Sequence, residues 1–207
     1  PAELVARWAQ STMANEDEMS RMVGLLSMIR SEMNKHRILM LTTMSRIPQI
    51  SRKTFDNFYT DRLSKDNEEM IKHLKSLDFI TLGENVVIVG DPGTGKAHLA
   101  QAIGNLCCEK MITVRYFNFS ELIGKLSKES SRAGMEKVLV SLSSIPCLII
   151  DEIGFSSSLD TRTSDLFFQL MDRRYDKGKR TTIFTSNRKP AEWNDMFSDE
   201  MTARCTL

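Results

Sequence analysis

The stretch from Gly90 to Ala97 constrains the fold of this chain more than any other part of it. Its sequence is GDPGTGKA, which satisfies the spacing G-x-x-x-x-G-K of a phosphate-binding loop. An apolar run at residues 86–89 precedes the loop, and apolar residues at helical spacing follow it at residues 99–106. The sequence therefore predicts a strand, a glycine loop and a helix. Such a loop can point consecutive backbone N–H groups at an anion, next to the positive end of the helix dipole.

Lys96 and the residue after it decide what the loop can do. We expect Lys96 to reach the β- and γ-phosphates of a nucleotide. The next position, where a Ser or Thr hydroxyl normally coordinates Mg²⁺, is Ala97, so one ligand of the usual metal shell is absent. The alternative is a glycine turn that binds nothing, and the strand and helix on either side disfavour it. The predicted nucleotide-binding residues are Gly90, Asp91, Pro92, Gly93, Thr94, Gly95, Lys96, Ala97 and His98.

The composition limits the class of protein. With 207 residues, 41% of them hydrophobic, the chain can bury the core of one domain with an appended segment. A net charge of +1 means that any nucleic-acid surface has to come from local clustering. We find neither a signal-peptide pattern nor a run of eighteen apolar residues, and therefore expect a soluble cytoplasmic protein. The four cysteines lack metal-ligand spacing, so neither a zinc site nor a disulfide framework is expected.

The first 64 residues are predicted to form an N-terminal helical segment that binds DNA or a partner. Apolar residues recur at helical spacing over residues 15–44, and Pro48 ends that helix. Residues 30–53 contain six basic residues and only one acidic residue, Glu32. Two interpretations stay open: a solvated helix face, or a contact with the DNA backbone. The six are Arg30, Lys35, Arg37, Arg46, Arg52 and Lys53.

A second motif follows the apolar run at residues 147–150, which is typical of a central parallel strand. The strand ends in Asp151 and Glu152, at the edge of the sheet where ligands bind in such folds. Asp151 is placed to hold Mg²⁺ through water, and Glu152 to polarise the water that attacks the γ-phosphate. An acidic pair at the end of a strand is common, so this assignment depends on the phosphate loop that precedes it.

A third candidate is Asn187, which follows a predicted strand at residues 181–185. This strand delivers Asn187 to the same edge as Asp151, where its amide could bind the attacking water or the γ-phosphate. An Asn at that position is also an ordinary turn residue.

Before the strand, a predicted helix at residues 163–177 ends among basic residues that either complement its dipole or contact DNA or another subunit. These are Arg173, Arg174, Lys177, Lys179 and Arg180.

With the three motifs together, the sequence resembles the IstB/DnaC-like family of AAA+ ATPases, which includes the transposition helpers of insertion sequences. The resemblance is carried by residues 77–80, 84–86, 90–99, 148–154, 166–167, 173–175, 185–187 and 192–193. It implies an α/β fold, the three-layer P-loop AAA+ fold with a parallel central sheet. We expect a core at residues 65–207 behind the N-terminal helical segment, and we find no sequence for the C-terminal strand and lid.

The resemblance also implies an ATP- and Mg²⁺-dependent ATPase that oligomerises on duplex DNA and recruits or regulates a transposase. By position, Lys96 is the Walker A lysine, Asp151 and Glu152 the Walker B acids, and Asn187 the sensor-one residue. The family usually has Thr where this chain has Ala97, which leaves the rate of hydrolysis open. The family has an Asp-Arg pair in the helix that follows Glu192 and Trp193, and this chain does not match it. Arg204 lies nearby but outside that motif, so we do not assign it as the arginine finger.

Two alternatives remain from the sequence. A replicative helicase loader would share the ATPase core and differ in the partner that the N-terminal helices bind. A nucleotide-binding DNA scaffold that has lost catalysis is supported by Ala97 and opposed by the presence of Glu152.

Overall fold

The structure is a computed structural model, and it describes residues 16–59, 64–129, 131–154 and 159–197. Packing of the backbone divides the chain into two compact units, Pro1–Met40 and Leu41–Leu207. The described residues of the first unit belong to one helix. The domain boundary that we predict between residues 64 and 65 stays a prediction.

The elements follow the order expected of a chain that alternates strands and helices. The α-helices are α1 (Glu16–Ser45), α2 (Lys65–Ser76), α3 (Asp78–Leu82), α4 (Lys96–Glu109), α5 (Phe119–Lys128), α6 (Arg132–Ser143) and α7 (Thr161–Asp176). The strands are β1 (Val86–Val89), β2 (Val114–Asn118), β3 (Cys147–Ile153) and β4 (Thr181–Ser186). A 3₁₀ helix spans Pro190–Met196.

The four strands form one parallel sheet in the order β1-β4-β3-β2. Strand β3 lies between β4 and β2, and its apolar residues are fully buried, as the continuous apolar sequence predicts. Because all strands run in the same direction, their carboxyl ends meet at one edge. The predicted α/β fold with a parallel central sheet is confirmed.

Successive residues of β3 face opposite sides of the sheet, and each side has its own core. Leu148 and Ile150 pack with α5, α6 and α7. Cys147 and Ile149 pack with α2, α3 and α4, together with Ile47 from the turn after α1. The sheet is thus the middle of three layers. Cys147 is therefore part of the core.

Helix starts differ from the sequence prediction by a few residues. Asp66, followed three residues later by Glu69, predicts a helix that starts at Asp66, but the cap of α2 is Ser64, whose hydroxyl accepts a hydrogen bond from the Asn67 N–H. Helix α5 begins directly after β2 because Asn118 caps it through the Ser120 N–H. Asn118 therefore ends a strand and starts a helix, which holds its side chain at the carboxyl edge of the sheet.

The described part of the chain ends at residue 197. Arg204 and Cys205 lie outside the described residues. Within those that are described, no helix has both the length and the apolar character needed to span a bilayer.

Candidate nucleotide-binding site

The loop after β1 is fixed to the neighbouring strand and coiled by its glycines. The Gly90 N–H donates to the Ser186 carbonyl at 3.2 Å, which ties the loop to the end of β4. Gly93 and Gly95 adopt φ angles of +79° and +91°, a region that side chains with a Cβ rarely enter. The Thr94 hydroxyl donates to the Asp91 carbonyl at 2.8 Å and closes the turn. The result is a tight loop that leads directly into the first turn of α4.

Lys96 folds back onto this loop. Its ammonium donates to the Gly90 carbonyl at 2.7 Å and to the Asp91 carbonyl at 2.8 Å. The loop and Lys96 line a cavity of about 720 Å³. A cation, a positive helix end and a curled backbone around one cavity are the groups that a polyphosphate requires. The residues present therefore fit a nucleotide.

The side chain of His98 is engaged away from this cradle. Its Nε2 lies 3.1 Å from the Thr54 carbonyl and 2.9 Å from Asn57 Oδ1. The Phe58 ring meets the imidazole edge to face, with the ring centres 5.2 Å apart. His98 thus fastens the segment before α2 to the start of α4, and only its backbone is left for the predicted contact with phosphate.

Phe58 is a site residue that the sequence did not indicate. It lines the same cavity as Lys96, and a Cβ on Gly95 would lie 3.1 Å from its ring. Nothing in the sequence around Phe58 marks it as an aromatic residue that faces a ligand. Gly95 therefore serves two needs, the positive φ and the close approach of Phe58.

Asp151 lies at the end of β3 and is 5% exposed. The Tyr116 hydroxyl donates to one carboxylate oxygen, and the Thr185 hydroxyl donates to the other. Burial, with Asp151 beside it, raises the pKa of Tyr116, so its hydroxyl keeps its proton and remains a donor. The carboxylate is thus held from both neighbouring strands.

Glu152 faces outward beside it. The pairing of β3 with β4 is irregular between Ile150 and Ile153, and Glu152 has a φ of +62°. For a residue with a Cβ this conformation costs on the order of 1–3 kcal/mol, and such strain concentrates at functional sites. The Asn118 amide donates to the exposed carboxylate of Glu152. The strained backbone turns Glu152 away from the core while Asn118 fixes its direction.

Asn187 lies next to the phosphate loop. The preceding residue, Ser186, is paired with both Val89 and Ile153, so Asn187 follows a position between β1 and β3. Its Oδ1 is buried and has no hydrogen-bond partner among the described residues. An unpaired buried amide is costly, and it suits a site that a water or a ligand completes.

The register of the sheet brings these groups to one edge. Asn118 pairs with Asp151, while Ser186 pairs with the residues that end β1 and β3. The phosphate loop, the acidic pair and Asn187 therefore follow neighbouring strands. Tyr116, Thr185 and Asn118 join them, and sequence reasoning missed all three.

The donor set also fits a magnesium ion. Mg²⁺ in nucleotide sites is held by one or two carboxylates, by water and by the phosphates themselves. Each oxygen of Asp151 accepts one hydroxyl, which leaves further lone pairs for a metal-bound water. Nowhere in the described ranges do three or more His, Cys, Asp or Glu side chains cluster as a metal site.

The six basic residues predicted to contact DNA are divided between the two compact units. Arg30, Lys35 and Arg37 lie on α1 in the first unit, and the other three lie in the second. Lys35 pairs with Glu32 within α1. Arg46 pairs with Glu121 at 2.9 Å, and Arg52 pairs with Glu109 at 2.7 Å. Three of the six charges therefore already have carboxylate partners, and DNA contact by this set stays a prediction.

The two adjacent arginines of the basic cluster at the end of α7 have partners within the protein. Arg174 is buried and donates to the carbonyls of Leu142, Ile145 and Thr181 and to the Thr182 hydroxyl. It is a structural residue, because a side chain only 2% exposed offers no surface to DNA or to another subunit. Arg173 forms a two-pronged ion pair with Glu136.

The chain is similar to known ATP-binding proteins of insertion sequences. The family model described as "IstB-like ATP binding protein" matches residues 2–207. A relative from Pseudomonas aeruginosa, named as an ATP-binding protein of insertion sequence IS21, is 34% identical over 79% of this chain. The match spans 60% of that relative's length. A relative from Geobacillus stearothermophilus, named likewise for insertion sequence IS5376, is 30% identical over 99% of this chain and 81% of its own.

Solved structures confirm the fold. DnaA from Aquifex aeolicus, bound to AMPPCP, superposes on 77% of this chain and 49% of its own with a TM-score of 0.65 and 24% identity. A DnaC helicase loader covers 73% of this chain and 90% of its own with a TM-score of 0.59 and 23% identity. At these identities the likeness concerns the P-loop AAA+ fold alone. The match to the family model over nearly the whole sequence goes further, and this chain belongs to the family of IstB-like ATP-binding proteins.

Proposed function

We propose that this chain is an ATPase of DNA transposition. It binds ATP at the loop that carries Lys96, hydrolyses it, and uses the state of the nucleotide to control its assembly on duplex DNA and the recruitment of a transposase. The observation that carries the proposal is the meeting of three groups at one sheet edge: the Lys96 loop, the acidic pair Asp151 and Glu152, and the unpaired amide of Asn187.

The binding step belongs to the loop and Phe58. The Lys96 ammonium exchanges its two carbonyl partners for phosphate oxygens, since a hydrogen bond between two charged groups is stronger than one to a neutral carbonyl. The backbone N–H groups of the loop and of the first turn of α4 bind the remaining oxygens. Phe58 lines the same cavity and offers its ring to the base.

The hydrolytic step belongs to the residues that follow β3 and β4. Glu152 takes the proton of the attacking water at its carboxylate, which Asn118 orients. The Asn187 amide positions that water or the outermost phosphate. Asp151 would hold Mg²⁺ through water, and the ion would supply positive charge opposite the negative charge that develops on the phosphates.

The proposed partners have separate support. The curated relatives are named for insertion sequences, which favours a transposase over the replicative helicase of a loader. Exposed basic side chains on α1, including Arg30 and Arg37, provide charge for contacts with DNA phosphates.

The first experiment measures ATP binding by the Lys96→Ala variant. Loss of two charge-assisted contacts is expected to weaken binding by about 3 kcal/mol, or roughly 100-fold in Kd. Lys110→Ala, an exposed lysine at the other end of α4, is the control and should bind as the wild type does. Equal affinity for the wild type and Lys96→Ala would exclude the site.

The second experiment separates an ATPase from a scaffold without catalysis. Glu152→Gln keeps the shape of the side chain and removes its basicity, so turnover should fall by about 100-fold or more while ATP affinity is retained. Turnover is measured by phosphate release in the presence of Mg²⁺. Wild-type turnover no higher than that of Glu152→Gln would favour the scaffold.

A further inference from the structure

Ala97 removes from α4 the hydroxyl that usually shares the metal ion with the acidic strand. The same helix face continues one turn later with Gln101, because residues four apart lie on one side of an α-helix. Gln101 is buried, and its side chain lies beside the Tyr116 hydroxyl. The Tyr116 hydroxyl from β2 therefore lies beside a polar residue of this helix face.

The Tyr116 hydroxyl is directed at Asp151. Tyr116 pairs with Ile149, two residues before Asp151, and its long side chain extends along β2 to the carboxylate. From the other side, Thr185 reaches the second oxygen of the carboxylate, while its own hydroxyl oxygen accepts the Glu152 N–H at 2.9 Å. Tyr116 is 9% exposed and Thr185 is 1% exposed. Two buried hydroxyls on two strands thus hold one carboxylate.

We propose that Tyr116 and Thr185 are positioning residues that fix the Asp151 carboxylate for Mg²⁺. This inference rests on the proposed ATP site. A carboxylate bonded through both oxygens cannot rotate freely, so it loses less entropy when it takes up a metal ion through water. Groups that orient a metal ligand in this way typically change metal affinity 10- to 100-fold.

If Tyr116 and Thr185 position Asp151 for the metal, their hydroxyls should affect only one part of nucleotide binding. They should matter for the magnesium-dependent part of nucleotide binding and not for the contacts of the phosphate loop itself. A merely structural role would lower both parts together with the stability of the fold.

The test uses the full chain and a fluorescent ATP analogue. It measures the Mg²⁺ concentration at the midpoint of the magnesium-dependent gain in affinity, the affinity in EDTA, and the unfolding temperature. In Tyr116→Phe we expect the Mg²⁺ midpoint to rise about tenfold while the affinity in EDTA stays within about twofold of the wild type. Tyr175→Phe, which loses the hydroxyl of a tyrosine that is 80% exposed, is the matched control.

Thr185 provides a second pair of variants should Tyr116→Phe fail to fold. Thr185→Val removes the hydroxyl at nearly constant volume and should raise the Mg²⁺ midpoint, whereas Thr185→Ser keeps the hydroxyl and should preserve it. Midpoints equal to or below that of the wild type in Tyr116→Phe and Thr185→Val overturn the inference, as does a parallel loss of both affinities. ATP binding by the wild type without any magnesium dependence overturns it as well. Failure of the proposed function is distinct, since the wild type would then not bind the analogue, or Lys96→Ala would bind it equally well.

Discussion

Ala97 should affect the hydrolysis of ATP more than its binding. The backbone cradle of the loop requires no side chain there, and Ala97 is compatible with the second position of α4. Coordination of the metal is different, because a hydroxyl at this position normally supplies one of its ligands. The chain should therefore bind ATP well and hydrolyse it more slowly than a chain with Thr at position 97.

The Ala97→Thr variant restores the hydroxyl and tests whether its absence slows hydrolysis. We expect Ala97→Thr to raise magnesium-dependent turnover by about tenfold, since a ligand worth roughly 1.4 kcal/mol in the transition state returns. The rate of phosphate release at saturating ATP is the measurement. Ala97→Val is the matched control, because the valine side chain has nearly the shape of threonine but lacks the hydroxyl. Equal rates for the Thr and Val variants would mean that other groups hold the metal.

Individual site residues differed in how far the sequence could predict them. Lys96, Asp151 and Glu152 belong to motifs in which spacing and neighbouring apolar runs carry the information. Tyr116 and Asn118 do not, because their contacts with the acidic pair arise from the pairing of β2 with β3. A partner set by the register of two strands leaves no local pattern, so such residues could not be predicted before the sheet order was known.

Helix α7 is held against the sheet by a buried cation, the guanidinium group of Arg174. Burial lowers the pKa of Arg174 to about 10, which still leaves the guanidinium charged at neutral pH. Carbonyls at the end of α6 and at the start of β4 satisfy it. The strands and helices were predictable from apolar periodicity, but the sequence did not show which of the adjacent arginines points inward. Packing of α7 against the sheet decides that.

The two arginines allow a matched test of this role. Arg174→Met keeps much of the volume but removes four hydrogen bonds from buried acceptors, so the free energy of unfolding should fall by about 3 kcal/mol. Arg173→Met removes only the partly exposed ion pair with Glu136 and should cost less than about 1 kcal/mol. Urea unfolding of both variants gives the comparison. Equal losses would contradict a structural role specific to Arg174.

At the scale of the whole molecule, the question is which charges meet DNA. Overall charge does not answer it, since 28 basic residues nearly balance 27 acidic ones. The ion pairs of the second unit narrow the choice. Arg46 and Arg52 are each matched by a glutamate, so releasing them for DNA would cost part of what the DNA contact gains. Arg30 and Arg37 are exposed on α1, where no ion pair is found for either within the described ranges.

A comparison of two double variants therefore tests the DNA surface. The slope of log K for duplex DNA against log salt measures the number of phosphates neutralised, at about 0.9 per contact. In the presence of ATP, Arg30→Ala with Arg37→Ala should reduce that slope by roughly 2, whereas Arg46→Ala with Arg52→Ala should reduce it by less than roughly 1. Both pairs remove two positive charges, so the change in net charge is the same and only the surroundings differ. Equal slopes for the two double variants would show that the glutamate partners do not withhold Arg46 and Arg52 from DNA, and an unchanged slope without Arg30 and Arg37 would remove α1 from the interface.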